Sequence, residues 1–326
     1  MSKVQVGIIG LGDHCWKSHI KHVLEMKDIC QIVAVCDLQV EKAQELSKNL
    51  SISDSNDLHY YATYEELLQD EKVEAVFIMT PDRFHLEQLI QSTKCKKHVF
   101  CEKPLALNRD EFERLQYAFS YASEHNLVIT TCHPRRFDPP FAEMKEFVNT
   151  NPAKLGKVLN FEFYFQYHKP SKHGLHTSLM FDHLNHEVDA MNYLFGQSSI
   201  KHAVKHYDSE TAFHVSGLRE DGISFSFIGQ RKLEDSIYPE YMKVNFEGGF
   251  ATMDLHRGIF YVDTGTVKTT QQFSKCMTDY AIRFAAINSN FLKSILGAEK
   301  PYLTASEMLM NTKLAIDLHE KTFVEY

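Results

Sequence analysis

The sequence has no surplus of positive charge, no Cys-x-x-Cys pair and no apolar run long enough to cross a membrane. Each absence removes a class. Lys and Arg number 35 against 43 Asp and Glu, a formal charge of −8, so no basic face for nucleic acid is implied. A membrane span needs about 20 consecutive apolar residues, and none are present. Seven cysteines, an odd number without paired spacing, suit reduced thiols in a cytoplasmic setting better than a disulfide framework. The apolar stretch after Lys3 is broken by Gln5 and ends in glycines and Asp13, unlike a signal peptide. Internal repeats and low-complexity segments are also lacking. What remains is ordinary globular composition, 44% hydrophobic and 24% charged. At 326 residues the chain exceeds one typical core, and two domains are expected.

The first half reads as strands alternating with helices. Val4–Ile9 is an apolar run that stops at Gly10-Leu11-Gly12-Asp13, with amphipathic sequence from about Lys17. Glycines at such a turn let backbone N–H groups approach a pyrophosphate with no Cβ in the way. The third glycine of a Gly-x-Gly-x-x-Gly fingerprint is Cys15, which reads as a small residue where helix passes strand. Ile32–Cys36 is a second buried strand ending in Asp37, placed to accept hydrogen bonds from an adenosine ribose and to repel a 2′-phosphate. Asp37 is equally suited to cap the following helix. Capping boxes at Thr63 and Asn108, and buried strands over 74–79, 98–101 and 127–131, continue the alternation. A parallel sheet covered on both faces follows, with ligands at the strand C-terminal ends. The polar residues at those ends are Gly10, Gly12, Asp37, Thr80, Glu102, Lys103, His133 and Arg135.

After Arg135-Arg136-Phe137 the pattern changes. Residues 158–167 alternate and are rich in aromatics, and strand-like runs recur at 200–207, 211–217, 222–230, 241–247, 250–254 and 258–263. Consecutive strands without helices indicate a mostly antiparallel sheet. One helix interrupts it over 181–196, with Leu184, Val188, Met191 and Phe195 on one face and Asp182, His186, Asp189 and Tyr193 nearly opposite. The polar face reads either as solvated or as Asp and His one turn apart, holding an imidazole in one orientation. Two helices close the chain, near 279–296 and 304–320.

Together these residues resemble the Gfo/Idh/MocA oxidoreductases, most closely the MviM-like branch. The resemblance rests on Gly10-Leu11-Gly12-Asp13, Ala34-Val35-Cys36-Asp37, Thr80-Pro81-x-x-x-His85, Glu102-Lys103-Pro104-Leu105-Ala106, Arg135-Arg136-Phe137 and Asp182-x-x-x-His186-x-x-Asp189, in that order. It implies an α/β architecture: an N-terminal Rossmann domain (1–132) with a doubly wound parallel sheet, and a C-terminal α+β domain (133–326) with a large, mostly antiparallel open sheet for substrate binding and oligomerisation. It implies NAD as cofactor, with NADP the alternative, held by Gly10, Leu11, Gly12, Asp13, His14, Asp37, Thr80, Pro81, His85, Glu102 and Lys103. Catalytic roles fall to Lys103, Asp182 and His186, and Pro104 is expected to follow a cis bond. The implied substrate is a small polyol or sugar-like molecule, neutral or anionic, in contact with Arg135, Arg136, His168, Lys169 and Asp189. The implied assembly is a homodimer or homotetramer through the C-terminal sheet. Departures from the family pattern at Pro134, Thr177-Ser178-Leu179 and Leu184 reshape the substrate side and leave the particular sugar open.

Other readings compete. A regulator of the same fold binds dinucleotide only to sense it, and a redox-assisted lyase or glycosidase uses bound NAD with no net redox change. Histidines crowd 168–186, but His183-x-x-His186-Glu187 matches neither H-E-x-x-H nor H-x-x-E-H, and no metal is expected. The loop 167–176 is basic in an acidic chain, read either as an ordinary charged surface loop or as a closure over an anionic substrate. If it closes, replacing Lys169 and Lys172 with Ala raises KM and leaves NAD affinity unchanged; an unchanged KM in steady-state assays removes this role.

Overall fold

The computed structural model describes residues 3–49, 58–150, 152–167, 178–209, 211–231, 240–255, 257–273 and 280–320. Its internal contacts divide the chain into two compact units, Met1–Pro134 with Ala281–Leu309, and Arg135–Tyr280 with Met310–Tyr326. The sequence-based division at 132/133 assigned everything after it to one domain. In the structure the segment 281–309 joins the first unit instead, for a physical reason given below.

The first unit holds a parallel sheet of β1 (Val4–Ile9), β2 (Cys30–Cys36), β3 (His59–Tyr61), β4 (Ala75–Ile78), β5 (His98–Cys101) and β6 (Ile129–Thr131), in the order β3-β2-β1-β4-β5-β6. That is the doubly wound arrangement, whose switch point lies between β1 and β4. Every residue of β4 is fully buried, as a central strand covered on both faces requires. The caps read from sequence form: Thr63 and Glu66 make a reciprocal capping box, and the Asn108 side chain accepts the Glu111 N–H at 2.9 Å. The helix after β1 begins earlier than its amphipathic pattern suggests. It runs as α-helix Asp13–Cys15, a π-helical turn Trp16–Ile20, and α-helix Lys21–Glu25.

Helix Tyr280–Ile295 brings Phe291 against this sheet. Phe77 of β4 and Phe100 of β5 stack at 4.9 Å, and the Phe291 ring stands edge-on to them at 5.4 and 5.6 Å. All three are fully buried. Tyr302 adds polar ties, donating its hydroxyl to the Thr131 carbonyl and accepting the His133 N–H. Offset and edge-to-face ring pairs add to the area each ring buries, so the late segment completes the core of the early one.

The second unit holds β7 (Val158–Tyr167), β8 (Ile200–Asp208), β9 (Ala212–Arg219), β10 (Ser224–Arg231), β11 (Glu240–Phe246), β12 (Gly249–Asp254), β13 (Ile259–Asp263) and β14 (Lys268–Gln272). They form one sheet, β14-β13-β12-β11-β7-β10-β9-β8, antiparallel except for the β10–β7 pair. The two-part architecture expected from the sequence is therefore present. Alternation places Phe225 and Phe227 of β10 in the core and Ser224 and Ser226 on the outer face. Helices Pro139–Thr150 and Leu179–Phe195 supply the inner layer, with Phe141, Met144, Leu184, Val188 and Met191 buried. β14 was missing from the sequence reading. Lys-Thr-Thr-Gln-Gln is exposed throughout and has no apolar alternation to find.

Replacing Phe291 with Ala removes the ring that closes the first core. The expected loss is about 3–5 kcal/mol of stability, read by denaturant unfolding.

Candidate active site

In the first unit, the sequence-predicted cofactor residues lie at the C-terminal edge of the parallel sheet. Gly10 follows β1 with φ +90°, and a Cβ there would sit 3.0 Å from the Met79 carbonyl carbon and oxygen. Only glycine fits. The next residue is tied to the end of β2: the Leu11 N–H donates to Asp37 Oδ2 at 2.9 Å, and the Gln39 N–H donates to Oδ1 at 3.0 Å. Asp37 thus holds the glycine turn against the end of β2, a role beyond the two read from sequence. Gly12 differs from Gly10, because a Cβ added to it would meet nothing within 4 Å. The backbone at Gly12, and the exposed Asp13 and His14 after it, border open space. Cys15 is buried; burial first, then the Glu102 and Asp37 charges, push its thiol well above the ordinary range. Its burial makes it a packing residue of the first core.

Glu102, at the end of β5, is a node. It is 7% exposed. His19 Nε2 lies 2.9 Å and His14 Nε2 3.2 Å from its Oε1, and the Lys103 N–H donates to Oε2 at 3.3 Å. Burial alone would raise this carboxyl, but the hydrogen bonds and charges of His14 and His19 hold it well below the usual carboxylate range. His19 is in turn 2.9 Å, through Nδ1, from Asn288 Oδ1. Neither His19 nor Asn288 was singled out from the sequence. The signal was hidden by the π-helical turn, whose i→i+5 bonding brings residues five apart, such as His14 and His19, toward one side.

Lys103 is half-buried and begins a cis Lys103–Pro104 peptide, as expected. His85 is buried beneath that turn, with Nδ1 2.8 Å from the Pro104 carbonyl and Nε2 2.7 Å from the Thr80 carbonyl. His85 therefore braces the ends of β4 and β5. The Thr80 hydroxyl donates to Gln88 Oε1 at 2.6 Å, while Pro81 is exposed.

In the second unit, Ser178 caps helix Leu179–Phe195 by accepting the Phe181 N–H at 3.2 Å. Asp182 and His186 follow one turn apart, both half-buried. The polar face is not the solvated one that was an option from sequence. Asp189 is 2% exposed and accepts Arg136 Nη2 at 2.7 Å, Arg136 Nε at 3.1 Å and Asn311 Nδ2 at 2.8 Å. Arg135 pairs through Nε with the buried Glu240. Arg135, Arg136 and Asp189, expected to touch substrate, thus carry charge pairs inside the fold, because a buried guanidinium without a carboxylate is costly. His168 and Lys169 lie outside the described residues. The described His14, His19 and Glu102 each offer one ligand atom within 4.8 Å of the others, a grouping the histidine spacing did not suggest.

A doubly wound sheet, a glycine turn tied to an acid at the end of β2, and a polar edge ending in Glu-Lys-Pro define a dinucleotide-binding Rossmann domain. Residues 4–131 match the family model for the Gfo/Idh/MocA oxidoreductase family, NAD-binding Rossmann fold. That stretch runs from the start of β1 to the end of β6 in the first unit. Among curated relatives, the chain is 31% identical over 156 residues to myo-inositol 2-dehydrogenase of Thermotoga maritima, covering 48% of this chain and 44% of the relative. It is 25% identical over 222 residues to inositol 2-dehydrogenase of Salmonella typhimurium, covering 67% and 61%. The matches thus span less than two thirds of these relatives. In fold, the chain is similar to scyllo-inositol dehydrogenase of Lactobacillus casei, solved with NAD(H) and scyllo-inositol, with a TM-score of 0.77 at 20% identity over 98% of this chain and 96% of that one. A 3-ketoreductase from Actinomadura kijaniata, solved with TDP-benzene and NADP, gives a TM-score of 0.80 at 18% identity over 98% of both chains.

Because the folded Glu102 value lies below the unfolded one near 4.5, its stabilisation is full above that pH and is lost as pH falls through the folded value. Glu102→Gln should cost on the order of 3 kcal/mol at neutral pH. The gap to wild type, followed by unfolding at a series of pH values, should close only in strong acid.

Proposed function

We propose that the protein is an NAD-dependent oxidoreductase that interconverts a secondary alcohol and its ketone in an inositol, sugar, sugar acid or sugar nucleotide. The observation that carries this reading is the Asp37–Leu11 tie between the ends of β1 and β2, in a domain that matches an NAD-binding family model and carries a Glu102-Lys103 strand end. The residues fit a dinucleotide: Gly10 admits no side chain, and the space over Gly12 is open. Gly10, Leu11, Gly12, Asp13 and His14 would line the pyrophosphate side, with Asp37 at the adenosine ribose and Thr80, Pro81, His85, Glu102 and Lys103 at the β4 and β5 ends. The carboxylate of Asp37 favours NAD over NADP, because a 2′-phosphate would meet like charge.

When bound, NAD accepts or returns the hydride. The chain's own task is at the substrate oxygen. His186 takes the hydroxyl proton, a role suited to imidazole because its ordinary range lies near neutral pH. Asp182, one helical turn earlier, orients that imidazole or the hydroxyl itself. Lys103 places its ammonium against the developing alkoxide, where charge stabilisation counts most. Arg136, Asp189 and Arg135 serve the substrate side as framework, fixing the helix that carries Asp182 and His186. His168 and Lys169 belong to the basic loop expected to meet an anionic substrate. The outer face of the eight-stranded sheet, half-buried at Tyr164 and Tyr241, is the surface for a homodimer or homotetramer. The six described cysteines are free, which supports a cytoplasmic setting, and no described helix is long and apolar enough to cross a membrane.

A thermal-shift titration tests the first half of the reading. NAD(H) at 100 times its Kd should add about 2.7 kcal/mol of stability, and NADP(H) at the same concentration less. Absorbance assays over inositols, sugars, sugar acids and sugar nucleotides test the second half. Lys103→Ala and His186→Asn should each lower kcat by about 10²–10⁴-fold, and the His186 variant should keep its stabilisation by NAD. No stabilisation by any dinucleotide overturns the proposal. Product formation without net cofactor turnover reassigns it to a redox-assisted elimination.

A further inference from the structure

We infer that His14, His19 and Glu102 form a binding site for a divalent d-block cation of the Zn²⁺ type. The inference starts from the hydrogen-bond polarity around His19, which is 1% exposed. Its Nδ1 lies 2.9 Å from Asn288 Oδ1, and its Nε2 lies 2.9 Å from Glu102 Oε1. The Asn288 amide is oriented by its own donor, since Nδ2 donates to the His19 carbonyl at 3.4 Å, so Oδ1 is the atom facing the ring. A neutral imidazole carries one N–H. In the tautomer whose hydrogen sits on Nδ1, toward Asn288, the Nε2 lone pair points at a carboxylate oxygen. Two acceptors facing each other in that tautomer require a cation between them, either a proton or a metal ion.

The third group favours a metal site. His14 Nε2 lies 3.2 Å from the same oxygen, and its Nδ1 lies 3.3 Å from Ser18 Oγ, which can accept an N–H and leave Nε2 as the lone-pair nitrogen. Two imidazole nitrogens and a carboxylate oxygen are the donor set of His₂Glu zinc sites. Metal–ligand bonds of 2.0–2.2 Å at tetrahedral angles put ligand atoms about 3.3–3.5 Å apart. The separations of 2.9 and 3.2 Å from Glu102 Oε1 need only slight spreading, and all three ligand atoms lie within 4.8 Å of one another. Asn288 already plays the outer-shell part, since histidine ligands normally give their second N–H to an oxygen acceptor. Glu102 Oε2 is engaged by the Lys103 N–H, which leaves Oε1 for the ion. The His14 side chain is 59% exposed, so the trio opens to solvent through it, and a fourth coordination position is available to water. The π-helical turn is what sets the two rings side by side, with centroids 5.8 Å apart.

The inference does not rest on the dinucleotide reading, and its test uses the full chain without dinucleotide. Metal-free protein is titrated with Co²⁺, whose visible bands report coordination, and with Zn²⁺ in competition. One ion per chain should bind, with the spectrum of a four- or five-coordinate site containing imidazole nitrogen. His14→Ala and Glu102→Gln should each weaken binding at least 10-fold, and Asn288→Ala by about 10–100-fold. Unfolding curves in metal-free buffer establish that each variant is folded. The exposed His14 variant and the wild-type spectrum carry the test should the Glu102 variant not fold. Absence of saturable binding, a spectrum of octahedral aquo-type Co²⁺, or wild-type affinity in folded His14→Ala overturns the site.

Discussion

The first unit depends on a single buried carboxylate. Glu102 ends β5, yet its contacts reach the helix that follows β1 through His14 and His19, and the late helix Tyr280–Ile295 through Asn288 beyond His19. Three segments far apart in sequence meet at one negative charge. Taking that charge out of water is costly unless donors surround it, and the histidines and the Lys103 amide meet that demand. The same contacts orient the strand end from which Lys103 projects. A catalytic assignment for Lys103 therefore inherits its geometry from a packing problem solved one residue earlier.

The second unit solves an equivalent problem with opposite charges. Arg136 and Asp189 meet inside the fold with Asn311 as a third partner, and Arg135 meets Glu240. Each pair joins elements that an apolar contact would join without directional preference. Bidentate geometry fixes rotation as well as distance, which matters for a helix carrying Asp182 and His186 at set positions. Polar residues that look like ligand contacts in a motif can thus be held inside the fold by partners of their own.

How much of this was legible follows the physics of each signal. Buried parallel strands announce themselves as short apolar runs ended by glycine, Asp or Pro, and β1, β2, β4, β5 and β6 were readable in that way. Capping residues at Thr63 and Asn108 act within three residues of themselves, so local sequence suffices. Gly10 and Asp37 were legible as types, but their mutual tie through Leu11 was not, because a backbone donor carries no sequence signature. β14 has no apolar side to display. His19 and Asn288 are separated by 269 positions, and nothing in either neighbourhood points to the other. The π-helical turn shifted the periodicity by which buried positions are recognised. The pairing of Arg136 with Asp189 was invisible for a related reason: a motif records which residues occur together, and not whether they face a ligand or each other.

The return of residues 281–309 to the first unit has a consequence for biosynthesis. The chain emerges from its N-terminus, so the sheet of β1 to β6 is complete long before Phe291 exists to cover Phe77 and Phe100. At about 5–20 residues per second, the interval between residues 134 and 291 lasts roughly 10–30 s. During it the nascent Rossmann sheet carries an uncovered aromatic face and a Glu102–His19 pair without Asn288. That face is covered only once Phe291 has been made, so the first unit cannot complete its core until about nine tenths of the chain has been synthesised.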